Sequence, residues 1–192
     1  MNVDRAETLR YLGFRGQELS PSDLDRLDRA AELTLAAADV RTAKARFGLE
    51  PDGVTLQGTG VTFCGSAIGR HLAGCDAVYV VACTLGLGVD RLIARLMRED
   101  PALGVMVDAS AVSLIESVAD DLSDEISDAE GGRTTRRFSC GYADFPLEQQ
   151  TDFMRLLDMG RRLGVFIGAD YLMTPQKTVT AVIGVRGERE EQ

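Results

Sequence analysis

The stretch Ala77-Val78-Tyr79-Val80-Val81-Ala82-Cys83 is β-rich, uncharged and apolar at both alternating sets of positions, which predicts a strand buried on two faces. Working outward from it, Thr84-Leu85-Gly86-Leu87-Gly88 makes a glycine turn into a helix carrying Leu92, Ile93 and Leu96, which Asp100-Pro101 ends. A second, longer helix then repeats Val105, Val112, Ile115, Val118, Ala119, Leu122 and Ile126 at three- and four-residue intervals up to Gly131-Gly132. Its opposite side carries Asp120, Asp121, Asp124, Glu125, Asp128 and Glu130.

On the N-terminal side, Glu50-Pro51-Asp52-Gly53 is turn chemistry, and Val54, Leu56, Val61 and Phe63 read as short strands broken at Gly58 and Gly60. Residues 65–72 allow one or two helical turns. Before them, residues 3–12 predict a short helix. The Ser20-Pro21-Ser22-Asp23 capping pattern opens a long amphipathic helix read as running to about Phe47. Beyond the acidic helix, residues 134–138 read as a strand, Ser139-Cys140-Gly141-Tyr142 as a bend, residues 147–163 as one helix closed by Gly164, and residues 178–185 as a final strand. The division expected is a helical extension over 1–50, an α+β core over 51–186 and a disordered charged tail over 187–192.

The 192 residues suffice for one sizeable core, and 45% hydrophobic with 27% charged residues is the balance of a water-soluble globular chain. A formal net charge of -9 repels a phosphate backbone, so no nucleic-acid partner is expected. The first residues lack the apolar run of a signal peptide, and no stretch of about 18 uncharged apolar residues occurs, so no membrane association and a cytoplasmic location are expected. Cys64, Cys75, Cys83 and Cys140 lack disulfide-scaffold spacing and are read as reduced thiols. With His71, the first three of them also lack the paired short spacing of a zinc site, so no metal is expected.

Candidate chemistry centres on Arg137-Phe138-Ser139-Cys140-Gly141-Tyr142-Ala143-Asp144-Phe145-Pro146. A guanidinium can grip a carboxylate through two parallel hydrogen bonds, and Tyr142 offers a flat apolar face with a hydroxyl. By itself the pattern fits a β-turn with a surface arginine and a core tyrosine better than it fits a ligand loop. Cys140 could be a reactive thiol if Arg137 lowered its pKa, or a small buried side chain. Elsewhere, the glycine turn at residues 84–88 lacks the full dinucleotide fingerprint, no phosphate-loop lysine motif occurs, and the single histidine stands without a Gly-x-Ser-x-Gly elbow. No catalytic residue is assigned.

The loop resembles the Arg-x-x-x-Gly-Tyr ligand loop of the activation domain of cobalamin-dependent methionine synthase. Residues 77–96 are similar to that family's buried strand, turn and helix. Residues 111–119 are similar to its long helix, and Leu172-Met173-Thr174-Pro175-Gln176-Lys177-Thr178-Val179 to its Met-x-Pro-x-x-Ser-Val turn. The resemblance covers residues 54–185 and implies an α+β fold with a twisted, mainly antiparallel sheet packed with long helices. It implies S-adenosylmethionine as the ligand, with Arg137 on its carboxylate, Glu116 near its positive end, and Ser139, Gly141 and Tyr142 as backbone contacts and a wall for the nucleoside.

The family's acidic contact near its N-terminus and its late tyrosine have no aligned counterpart here. The implied role is that of an accessory protein for reductive methylation of cobalamin held by a partner. That partner would be a methionine synthase lacking this domain or another corrinoid protein, served by a flavodoxin-like or ferredoxin-like reductant. The chain lacks the Asp-x-His-x-x-Gly corrinoid motif, since Gly69 stands two places before His71. Two alternatives are a docking module for a corrinoid protein with a degenerate ligand site and an independent small-molecule methyltransferase.

Overall fold

A computed structural model describes residues 2–187; the predicted disorder of residues 188–192 lies outside the described residues. The expected buried strand is β4 (Cys75–Thr84), the middle of a three-stranded antiparallel sheet ordered β1 (Arg41–Gly48), β4, β7 (Thr178–Arg186). Pairing runs from Arg41 opposite Thr84 to Gly48 opposite Ala77 on one side, and from Thr84 opposite Thr178 to Ala77 opposite Val185 on the other. Two two-residue hairpins flank it, β2 (Thr55–Leu56) with β3 (Val61–Thr62), and β5 (Phe166–Ile167) with β6 (Met173–Thr174). The fold is α+β with an antiparallel sheet and long helices.

Because successive strand side chains point to opposite faces, β4 serves two cores. Val78, Val80 and Ala82, joined by Val182, pack with α3 (Ser66–His71), α6 (Gln150–Leu157) and α7 (Met159–Leu163) through Ile68, Phe153, Leu157 and Met159. On the other face Val81, Ala181 and Ile183 meet Leu122 and Ile126, and Cys83 meets Leu114, Ile115, Val118 and Ala119, all on α5 (Pro101–Ala129). Each fully buried Leu or Ile stabilises such a core by about 1.5–3 kcal/mol.

Pro101 sits in the first turn of α5, and the Asp100 carboxylate accepts the Leu103 N–H at 3.2 Å. α5 is long and apolar enough to cross a bilayer by length and composition, but more than half of its most apolar window is buried, against the sheet and α1 (Arg5–Tyr11), α2 (Pro21–Ala37) and α4 (Leu87–Glu99). The glycine turn before α4 is a close-packing device. A Cβ on Gly88 would lie 2.4 Å from the Ala37 carbonyl oxygen, so only glycine lets α4 begin against the end of α2.

Three expectations are corrected. The helix opened by the Ser20 capping box stops at Ala37, not near Phe47, and residues 41–48 form the sheet's outer strand, so the sheet begins inside what was read as a helical extension. Ala38 is already extended and Asp39 donates to the Leu85 carbonyl at 2.8 Å, which steers the chain alongside β4. The alternation of Ala43, Ala45 and Phe47 toward the α6 side is a period of two, hidden beneath a run that is also compatible with a helix.

Residues 134–138 do not form a continuous strand. They touch β7 only by bridges of Thr134 with Val185 and Phe138 with Val182, which differ in register by one residue. Between them the Thr135 hydroxyl takes the Gly184 N–H at 2.9 Å, replacing a backbone partner, and the Arg136 carbonyl faces His71 Nε2 at 2.9 Å. The single helix read over 147–163 is a 3-10 turn at Leu147–Gln149, then α6, then α7, broken where Asp158 adopts a left-handed φ of 48°. Gly164 closes α7 as expected, with φ 67°.

Candidate functional site

The irregular segment of residues 134–139 runs beside the acidic face of α5, and the two enclose a cleft of about 620 Å³. Its wall on α5 is Glu116, Asp120, Ser123, Asp124 and Ser127, and its opposite wall is Thr134, Thr135, Arg136, Arg137 and Ser139. Arg137 is the centre of the arrangement. Its Nη2 donates to Glu116 Oε2 at 3.0 Å and to Asp120 Oδ1 at 2.6 Å, while its side chain is only 19% exposed. Nε and Nη1 have no hydrogen-bond partner among the described residues, so their N–H groups remain for an acceptor, while Nη2, which belongs to both two-toothed edges of the guanidinium, is taken by the two carboxylates.

The structure therefore brings Arg137, Glu116 and Ser139 into one cleft and adds Asp120, which the sequence reading did not single out. Asp120 lies four residues after Glu116, one helical turn along the same face, so helical spacing was the signal that could have found it.

Gly141 and Tyr142 are not brought into the cleft. Arg137 points to the α5 face, so Phe138 points to the other, where its ring packs at 4.8 Å from that of His71 and 6.0 Å from that of Phe145. Tyr142 follows Phe138, edge-on at 5.4 Å and 67% exposed. Gly141, at φ 83°, forms the turn, and its N–H is taken by the Phe145 carbonyl at 2.8 Å, so the amide expected to meet a ligand is already satisfied.

Cys140 is buried in the same core as Phe145, and that burial pushes its thiol up to about 12. The reactive-thiol alternative is removed: Arg137 lies on the other side of the backbone, near Cys83, where burial also wins and pushes that thiol up to about 12. Of the four cysteines only Cys64 is exposed. In the native protein a single thiol should react rapidly with a disulfide reagent at neutral pH, and four only after denaturation; a fast second thiol would show that Cys140 or Cys83 is accessible.

The loop is tied down by Asp144. Its carboxylate accepts from Ser66 Oγ at 2.7 Å and from the Ser66 and Ala67 amides at 2.7 and 2.8 Å, at the start of α3. The Ser66 hydroxyl first, then these amides, hold the Asp144 carboxyl at about 2, below its ordinary 3.8. A depressed carboxylate contributes stability that is full above the unfolded value and fades as pH falls through the folded one. Asp144→Ala should therefore melt below the wild type at pH 7, and the gap in Tm should close between about pH 4 and pH 2. A gap independent of pH would mean that the charge is not what anchors the loop.

Neither a protein-family description nor a curated protein matches this sequence. Among solved structures the chain is similar to one described as the MetH reactivation domain bound to AdoHcy, at 15% identity and a TM-score of 0.71, over 99% of this chain and 76% of that one. At that identity the likeness speaks for architecture alone: over nearly its whole length this chain has the fold of the MetH reactivation domain.

Proposed function

We propose that the chain binds S-adenosylmethionine, with the amino-acid end of the ligand in the cleft between α5 and residues 134–139, and presents it to a corrinoid protein for reductive methylation. The observation that carries this reading is the guanidinium of Arg137, seated between two carboxylates with its Nε and Nη1 unpaired among the described residues. The cleft walls hold three carboxylates, Glu116, Asp120 and Asp124, and two guanidiniums, Arg136 and Arg137. The ligand carries one carboxylate, one ammonium and one sulfonium, a net positive charge that this set complements.

Arg137 would take the ligand carboxylate through its unpaired N–H groups, and Asp120, already on its Nη2, would receive the neighbouring ammonium. Glu116 would lie toward the sulfonium. The ligand supplies an electrophilic methyl group, and the chain's own contribution is orientation, which can account for a large share of a methyl-transfer barrier with no acid or base in the protein. The fold shared with a domain solved with AdoHcy supports the ligand class. The partner, a methionine synthase lacking this domain or another corrinoid protein, and its flavodoxin-like or ferredoxin-like reductant follow from the same reading.

Titration calorimetry with S-adenosylmethionine tests it. Glu116→Gln and Asp120→Asn should each weaken binding by roughly threefold to tenfold, since partly exposed charges are screened by water. Equal affinity in both variants would remove the cleft from consideration. A docking module without a ligand is favoured by one observation, the closure of the Gly141 amide within its own turn. Absent heat with S-adenosylmethionine, together with intact partner binding, would select it.

A further inference from the structure

His71, the only histidine of the chain, does not line the cleft but touches the segment that forms its wall. It is the last residue of α3, and its half-buried ring lies 4.8 Å from that of Phe138. Its Nε2 stands 2.9 Å from the Arg136 carbonyl oxygen and 2.9 Å from Thr135 Oγ1. A carbonyl only accepts, so Nε2 carries a proton and donates it. Burial holds the ring's pKa below its ordinary 6.5, against the smaller pull of that carbonyl, so at pH 7 the ring is neutral with its one proton on Nε2. The Thr135 hydroxyl accepts the Gly184 N–H at 2.9 Å and donates to the same Arg136 oxygen at 3.0 Å. Two donors therefore converge on the Arg136 carbonyl.

That carbonyl is one half of the peptide unit that leads into Arg137. The backbone has only two soft torsions per residue, so the peptide planes on either side of a Cα set the direction of its side chain. The plane after Arg137 is fixed by the sheet, since the Phe138 N–H donates to the Val182 carbonyl at 2.9 Å. The plane before it lies between two bridges to β7 that differ in register by one residue, and among the described residues no backbone N–H reaches its carbonyl. Side chains hold it instead. Thr135 precedes it in the same segment, whereas His71 ties it to a separate element, α3, whose Ile68 is fully buried and whose first residues Asp144 binds.

We infer that His71 is a positioning residue for Arg137: by holding the Arg136 carbonyl it fixes the peptide unit that aims the guanidinium across the cleft at α5. Its consequence for affinity rests on the ligand proposed above; the positioning itself does not.

The test begins on the ligand-free protein. Long-range ¹H–¹⁵N NMR at about pH 8 should show His71 protonated on Nε2, and a ring protonated on Nδ1 alone overturns the inference with no variant needed. His71→Phe keeps a ring against Phe138 and removes the donor, whereas His71→Gln restores an N–H near the place of Nε2. In His71→Phe the Phe138 amide should exchange with solvent roughly threefold to tenfold faster, the fold-change of one net hydrogen bond, and the Arg137 Nε–H signal should shift. The Gly141 amide, held within its own turn, should exchange as in the wild type. His71→Gln should recover most of the difference. Unchanged Phe138 exchange and Arg137 signal, equal acceleration at Phe138 and Gly141, or no recovery with glutamine each overturn the inference. Titration with S-adenosylmethionine should then show roughly threefold to tenfold weaker binding to His71→Phe. Equal affinity beside a displaced Arg137 signal, or no binding to the wild type, counts against the ligand assignment, and the ligand-free results alone decide the role of His71.

Discussion

Arg137→Ala should reduce S-adenosylmethionine affinity by roughly tenfold to a hundredfold, the loss of about 1.5–3 kcal/mol that follows removal of a charged hydrogen bond. It should do so without unfolding the protein. The carboxylates it leaves behind, Glu116 and Asp120, are 42% and 68% exposed, so water solvates them once the guanidinium is gone. Arg137→Lys keeps the charge but not the fork, and should recover only part of the affinity. Calorimetric titration beside a circular-dichroism melt separates the two effects. Wild-type affinity in the alanine variant would detach the ligand from this cleft, whereas a collapse in Tm would mean that the Arg137–Asp120 pair is structural.

Phe145→Ala carries the largest expected loss of stability, about 3–5 kcal/mol, against a total that for such domains is typically 5–15 kcal/mol. The ring is 1% exposed and lies 5.6 Å from Phe63, 6.0 Å from Phe138 and 6.4 Å from Phe153, so truncation opens a cavity where four aromatic side chains meet. The same residue accepts the Gly141 N–H and sits beside Asp144, so the cavity lies under the turn that carries residues 137–146. Phe145→Leu refills most of the space and should lose less than half as much. Urea denaturation measures both variants; a loss below about 1 kcal/mol for alanine would show that the core collapses into the gap.

These two residues, eight apart in one quoted stretch, differ in how much the sequence disclosed. Phe145 and Arg137 were both visible as parts of a loop, but the loop's two sides were not. Reading Arg137, Ser139, Gly141 and Tyr142 as one ligand-facing set presumes that the backbone presents them together. Strand alternation puts Phe138 in the aromatic core, and Tyr142 packs edge-on against it, outside the cleft. Glu116 was assignable to the long helix by its period, and Asp120, one turn further on the same face, was legible from that spacing, while the bond that Arg137 makes to it appears only in the tertiary structure.

Local pattern by itself determined the buried central strand, the long α5 helix with one acidic face, the glycine turn before α4 and the Ser20 cap, because each depends on propensities and periods carried within about ten residues. The tertiary structure alone decided that residues 41–48 are a strand, that residues 134–138 meet β7 by two bridges out of register, and that Arg137 reaches across to α5. Those outcomes depend on partners 17 to 51 positions away: residues 41–48 could satisfy their backbone hydrogen bonds within a helix or on the edge of β4, and only the edge was open beside them.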